Sequence, residues 1–329
     1  MYYAMKQFIK DITEDDIRDW GYDILSTLLT DWTKTTVSKS GEVADRHYII
    51  WATKDYESLG EGYTFSDEIT PDSITGLRNM LILPRRLKKA EDQRSRSINM
   101  AEVFTPSWVC NAQNNSIDEQ WFKRPNVFNI PTADGKNWTA TPRINEFPKN
   151  KTWKKYVRSI RLEMACGEAP YLFSRYDSTT GDFFEPSSNL RIGMFDRKMR
   201  LVNENAIEQP SQPTAQWLNW ALIALKSTYG FEFQGDSLYL ARRELLMSYI
   251  DYYYARWNRE PDRPMLKNIA EIISWNLWQM DGFNYRIPTQ DGTESQLCKI
   301  KEWDLRYRYE GGEIVPFKEQ IRPNNTKRR

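Results

Sequence analysis

Three short apolar segments, each closing on a carboxylate and each followed by a helical pattern, constrain the fold more than any other feature of this chain. Residues 159–162 alternate polar and apolar side chains, as a strand does, and lead to Glu163. Residues 190–196 read as a second strand ending in Asp196, and residues 231–236 as a third ending in Asp236. Helical segments are interleaved with them. Residues 214–229 are Trp-rich and stop at Gly230. Residues 238–257 place Leu238, Ala241, Leu245, Tyr249, Ile250 and Tyr253 in helical register as an amphipathic helix. Residues 265–280 do the same with Ile269, Ile272, Ile273 and Trp275. This alternation predicts an α/β fold with a parallel sheet. The strand C-termini of such a sheet share one edge, so Glu163, Asp196 and Asp236 are expected to ring one crevice, where open α/β sheets bind ligands. Three acids there suit a ligand with several donors, such as a nucleoside carrying an amino acid.

The first segment runs into a distinctive turn, Arg161-Leu-Glu-Met-Ala-Cys-Gly-Glu-Ala-Pro-Tyr-Leu172. Ala165, Cys166 and Gly167 are small, so the backbone there can approach a ligand closely. Glu163 can accept hydrogen bonds from a ligand's amine or hydroxyls. A buried strand followed by a tight turn would read the same way.

Composition excludes several classes. The 329 residues suffice for one large domain or two modest ones, and a formal net charge of +1 gives no global basic field for nucleic acid. Cys110, Cys166 and Cys298 are too widely spaced for a disulfide framework or a CxxC metal site, which fits a reducing compartment. A single histidine, His47, leaves little material for a His-rich metal site or a Ser-His-Asp triad, and no metal is expected. It sits at the start of an expected strand over 46–52, where it reads as a half-buried strand residue. No apolar run reaches spanning length and the N-terminus lacks a signal-peptide core. The expectation is a soluble cytoplasmic protein without membrane contact, its many Trp and Tyr side chains packing the core.

The remaining segments are read in order. Residues 12–36 form a helix opened by Thr13 with Asp15 and Asp16 in its first turn, and residues 71–83 form another. Residues 85–97 carry six basic residues, Arg85, Arg86, Lys88, Lys89, Arg94 and Arg96, against two acids. They form a solvated face or a phosphate-contacting one. Thr105 caps a helix with Pro106 in its first turn. Residues 124–150 read as a long loop. Residues 149–161, with Lys154 and Lys155 among six basic residues and no acid, are amphipathic with the same two readings. Residues 298–309 form an edge strand or hairpin, and the tail from Asn324 is mobile.

With these pieces placed, the chain resembles the adenine-N6 DNA methyltransferases of restriction–modification systems, and most closely sequences described as restriction endonuclease subunit M. Val103-Phe-Thr-Pro106 is similar to the FTP motif that helps hold S-adenosylmethionine. Glu163-Met-Ala-Cys-Gly-Glu-Ala169 is similar to the D-P-A-C-G-S-G turn that wraps the methionine part of that cofactor. Asp196 stands for the strand-two acid on the ribose, and Gly235-Asp-Ser-Leu238 for the G-D-A-L motif whose acid touches the adenine. The resemblance spans roughly residues 100 to 250. It implies a Rossmann-like class I methyltransferase sheet behind a mainly helical N-terminal extension, with residues 1–100, 101–257 and 258–329 as three regions. It implies S-adenosylmethionine as cofactor, held by Phe104, Thr105, Pro106, Glu163, Ala165, Cys166, Gly167, Asp196 and Asp236. Double-stranded DNA would lie along the two basic segments.

Two departures qualify what it implies. The family's last turn glycine is Ala169, followed by Pro170, which puts a side chain where backbone approach is closest. The catalytic N-P-P-Y or D-P-P-Y motif is missing, because the chain has no Pro-Pro pair; the nearest fragment, Ile314-Val-Pro-Phe317, lacks its polar first residue. The chain looks like the front half of such an enzyme. Three readings stay open: a methyltransferase completed by a second chain or using another catalytic group, a non-catalytic binding or regulatory module, and an α/β protein whose crevice takes a different small ligand.

Overall fold

The computed structural model describes residues 12–38, 42–87, 105–206, 213–308 and 311–321. Phe104, Lys88, Lys89, Arg94, Arg96 and the tail from Asn324 lie outside the described residues.

The described chain opens with α1 (Glu14–Trp20) and α2 (Tyr22–Leu29) in place of the one long helix expected over 12–36. Thr13 forms the expected cap, as a reciprocal box with Asp16. Gly21, extended at φ 163°, separates the two helices. A small hairpin follows, β1 (Thr36–Val37) with β2 (Val43–Asp45). Residues 46–52 make isolated bridges, Thr30 to Tyr48 and Ile50 to Glu68, instead of a strand. The expected helix over 71–83 shrinks to a single 3-10 turn at Gly76–Arg78. The next helix, α3 (Ser107–Phe122), forms as expected, but Pro106 is its N-cap and no side chain caps it. Within the expected loop 124–150, β3 (Asn129–Pro131) and β4 (Trp138–Ala140) pair as a hairpin. The basic segment yields one short helix, α4 (Trp153–Val157).

Next come β5 (Arg161–Met164), α5 (Met194–Asn205), α6 (Ala215–Lys226), β6 (Thr228–Glu232), α7 (Gly235–Trp257), α8 (Arg263–Asn276) and β7 (Leu277–Gln279). The hairpin β8 (Lys299–Trp303) with β9 (Gly312–Pro316) and the short α9 (Phe317–Gln320) close the described chain; β8 falls within the expected 298–309, and its partner β9 lies beyond it. The protein is therefore mixed α/β around a parallel sheet, in the order β5-β6-β7.

Two of the three strands are not those expected. Residues 190–193 are irregular, and Asp196 falls in the first turn of α5. The third segment begins earlier than its apolar residues suggest, so its strand ends at Glu232 and Asp236 opens α7. The true third strand, β7, follows α8 without a turn, at residues expected to finish that helix.

Paired residues of a parallel ladder face the same side, so Leu162 and Tyr229 share one face with Met164, Phe231 and Trp278. Phe317 packs on Phe231 and Trp278, and Tyr229 donates to the Lys301 carbonyl at 3.0 Å, so the β8–β9 hairpin and α9 cover this face over β6 and β7. The cover stops short of β5, where Leu162 and Met164 stay 42% and 72% exposed.

Helix α7 was expected to be amphipathic, yet Gly235 to Tyr253 is buried on every side. A helix in that position must pair its own charges internally. Arg242 does so by donating to the carbonyls of Leu28, Thr30, Ser274 and Leu277, the unsatisfied C-terminal groups of α2 and α8. No described helix is long and apolar enough to cross a membrane.

Candidate functional site

The C-terminal edge of β5 and β6 opens into a cavity of about 460 Å³. That size suits a small organic ligand. One wall is the small-residue turn. Ala165, Gly167 and Ala169 each adopt positive φ, at 49°, 54° and 57°. The alternation winds the chain tightly, so that Met164 to Glu168 all face the cavity. A Cβ added at Gly167 would meet nothing within 4 Å, so this backbone borders open space. Ala169 behaves differently from expectation. Its methyl is fully buried in the core and not on the cavity wall, so it leaves the approach to the backbone clear; Pro170 lines the cavity instead.

Two carboxylates reach the cavity from adjacent strands. Glu163 on β5 is half-buried as a residue, but its Oε2 is sealed from solvent and has no hydrogen-bond partner. Burial pushes this carboxyl well above the ordinary range. The N–H groups of Tyr171 and Leu172 oppose that shift, and the nearby Glu232 charge adds to it. Glu232, at the end of β6, accepts from Gly167 N at 2.7 Å and from Gln234 N at 3.2 Å. It thereby ties the turn to the start of α7. Burial raises its pKa too, against those two donors. Sequence reading missed Glu232 because it carried the strand on to Asp236; the single intervening polar pair, Gln234-Gly235, was the available signal for a helix start.

The other walls come from the first residues of α3 and from the chain after the turn. Thr105 and Ser107 line the cavity, and Ser178 bonds both of them. Pro106 is not among the lining residues. Tyr176 donates to Glu168 at 3.0 Å. Cys166 lines the cavity, but burial drives its thiol pKa well upward, so it is not a poised nucleophile.

The two remaining acids are not at the cavity. Asp196 is buried at the start of α5. It accepts from Ser174 N at 2.7 Å, Gly193 N at 3.1 Å, Ser174 Oγ at 3.2 Å and Tyr252 OH at 2.9 Å. Asp236 is buried in the first turn of α7, taking Tyr56 OH at 3.0 Å and Ser237 N at 2.7 Å. Both act as caps within the fold. The physical reason is the helix N-terminus itself, whose unpaired N–H groups attract a carboxylate.

Beneath the cavity lies a buried ion-pair set that sequence spacing does not announce. Arg175 donates through Nε to Asp251 at 2.9 Å and through Nη1 to Glu244 at 2.8 Å. Arg191 shares Asp251, and Arg243 links Glu244 to Glu14. Burial works to raise the Glu244 carboxyl, but the Arg175 and Arg243 charges outweigh it and hold it below the ordinary range.

Of the basic residues, Arg85 begins a 3-10 turn, Arg85–Leu87. Arg86 is folded inward over the Tyr176 and Phe183 rings, at 5.1 and 4.8 Å, and does not extend along a surface. Lys154 and Lys155 are exposed on α4, which precedes β5 and so lies toward the opposite edge of the sheet from the cavity. Among the described residues no group of three or more His, Cys, Asp or Glu is placed to hold a metal ion. Comparison of the chain with family models, with curated proteins and with solved structures finds no match.

Proposed function

We propose that this protein is a methyltransferase-like binding module that takes S-adenosylmethionine, or its demethylated product, in the cavity at the sheet's C-terminal edge. The observation that carries this reading is the convergence of Glu163 and Glu232 from adjacent parallel strands on a small-residue turn bordered by Thr105. Carboxylates and close backbone suit a cationic ligand with several donors. The residues fit such a cofactor at the turn. They do not fit the roles that the resemblance gives Asp196 and Asp236, which are committed inside the fold. Glu232 is better placed for the ribose hydroxyls, because it ends the strand next to β5 and lines the cavity.

The missing N-P-P-Y motif favours a module that acts in DNA modification without transferring the methyl group by itself. DNA contact would involve Lys154 and Lys155. Strand β5 has four residues, so this surface and the cavity are separated by roughly 13 Å of strand. It would anchor phosphates without presenting a base to the cavity.

Calorimetry with S-adenosylmethionine and S-adenosylhomocysteine tests the reading. Binding of either, weakened at least about tenfold by Glu232→Gln through loss of a charged acceptor, is the expected result. Absence of binding by both compounds overturns it. A labelled-methyl assay on mixed-sequence DNA should show no transfer by this chain alone.

A further inference from the structure

The ion-pair set under the cavity has one feature that structural pairing leaves unused. Arg175 is 3% exposed and lines the cavity beside Glu244. A guanidinium has five N–H donors in a rigid fork. Nε is taken by Asp251 and Nη1 by Glu244, while Nη2 is buried with no acceptor. Leaving a charged donor unmet in a low-dielectric site is costly, and a ligand oxygen there would recover that cost. Glu244 and Asp251 grip the guanidinium from one helix, seven residues apart, so the fork is fixed before any ligand arrives.

A second observation concerns the start of α7. Gln234 and Ser237 both line the cavity. Two carboxylates already hold this helix start, Asp236 on Ser237 N and Glu232 on Gln234 N, so the helix end itself offers no free anion site. Ser237 and Glu244 are also seven residues apart, so the cavity follows α7 for roughly 10 Å. The walls are therefore polarised. Glu163 and Glu232 stand at the strand ends, and Arg175 lies further along α7, beside Glu244.

We infer that Arg175 is the receptor for an oxyanion on the ligand, and that the ligand is a zwitterion of amino-acid type whose carboxylate meets Nη2. A simple anion is disfavoured, because Glu163, Glu168 and Glu232 share the same cavity. A simple cation leaves Arg175 unmet. The inference rests on the cavity being the ligand site, but not on the ligand containing a nucleoside.

The test compares pairs of compounds that differ by the anion alone, titrated calorimetrically into the full chain. The pairs are S-adenosylmethionine with its decarboxylated form, L-methionine with 3-(methylthio)propylamine, and AMP with adenosine. Loss of the carboxylate should weaken binding about 10- to 100-fold, as for a hydrogen bond to a charged group. In Arg175→Lys, which keeps the charge between Glu244 and Asp251 but loses the fork, that ratio should fall toward one, with circular dichroism confirming the fold. Equal affinities within both carboxylate pairs on the wild-type chain overturn the inference while leaving nucleoside binding intact. Discrimination within the AMP pair alone overturns it in favour of a phosphate ligand. Carboxylate discrimination by methionine without binding of either adenosyl compound upholds it and removes the methyl-donor reading.

Discussion

Four acids follow apolar runs in this chain, and they divide into two regions with opposite fates. Glu163 and Glu232 end parallel strands and face a cavity, whereas Asp196 and Asp236 open helices and are sealed inside. The neighbouring glycines show why. A Cβ at Gly193, before Asp196, would come within 2.3 Å of the Phe173 Cα, and one at Gly235 within 2.0 Å of the Ile50 carbonyl. Those glycines let backbone pack on backbone and leave no room for a ligand. Gly167, beside Glu163 and Glu232, borders open space. An acid next to a glycine is thus ambiguous in sequence, and the space around the glycine decides its role.

The largest expected contrast breaks or upholds that division. Gly193→Ala must displace backbone and should cost on the order of 3 kcal/mol or more, read as a fall in the denaturant midpoint. Gly167→Ala has space and meets only the positive-φ penalty, about 1 kcal/mol. Equal losses at the two sites would refute the distinction. Next in size is Asp236→Ala, which strands Tyr56 OH and Ser237 N and should cost about 1–3 kcal/mol. If instead stability is unchanged and ligand affinity falls, Asp236 belongs to the ligand site after all.

What could be read in the sequence follows from how local the signals are. The helices α3 and α7, the Thr13 cap, the β8–β9 hairpin and the small-residue turn rest on short-range patterns, and all are present. No turn separates strand β7 from α8, since Asn276 ends the helix and Leu277 begins the strand, so period alone could not separate them. Residues 194–200 mislead for a different reason. Asp196, Arg197, Lys198 and Arg200 are all buried, each satisfied by partners distant in sequence, among them Asp118 for Arg197 and the Phe128 carbonyl for Arg200. Such pairing is tertiary and leaves no periodic trace. The pairing of Arg175 with Glu244 and Asp251 was hidden in the same way, across 69 and 76 residues.

A smaller effect sharpens the account of the turn. Ala169 holds φ 57° with its methyl in the core, a conformation that glycine adopts more cheaply. Ala169→Gly should relieve that strain. The gain is offset by the lost burial of one methyl and the greater freedom of the unfolded chain, leaving a net change within about 1 kcal/mol. Because the methyl does not face the cavity, ligand affinity should stay the same. A change in affinity without a change in stability would place Ala169 on the cavity wall.

A pH effect isolates Glu163. Its carboxyl is held in the folded protein well above the value of about 4.3 expected when unfolded, chiefly by burial. For an acid with a raised folded pKa, the unfolded state loses its proton first. The folded state is then penalised progressively as pH rises from the ordinary carboxylate range toward the folded value. Glu163→Gln removes that penalty. The variant and the wild type should differ by a constant amount below about pH 4, and the variant should gain relative stability as pH increases above it. Denaturant titrations from pH 3.5 to 8 read this directly. A difference that stays flat across the range would mean that the Glu163 carboxylate is already matched by a partner, and the cavity would lose the unmet acceptor on which its preference for a cationic ligand depends.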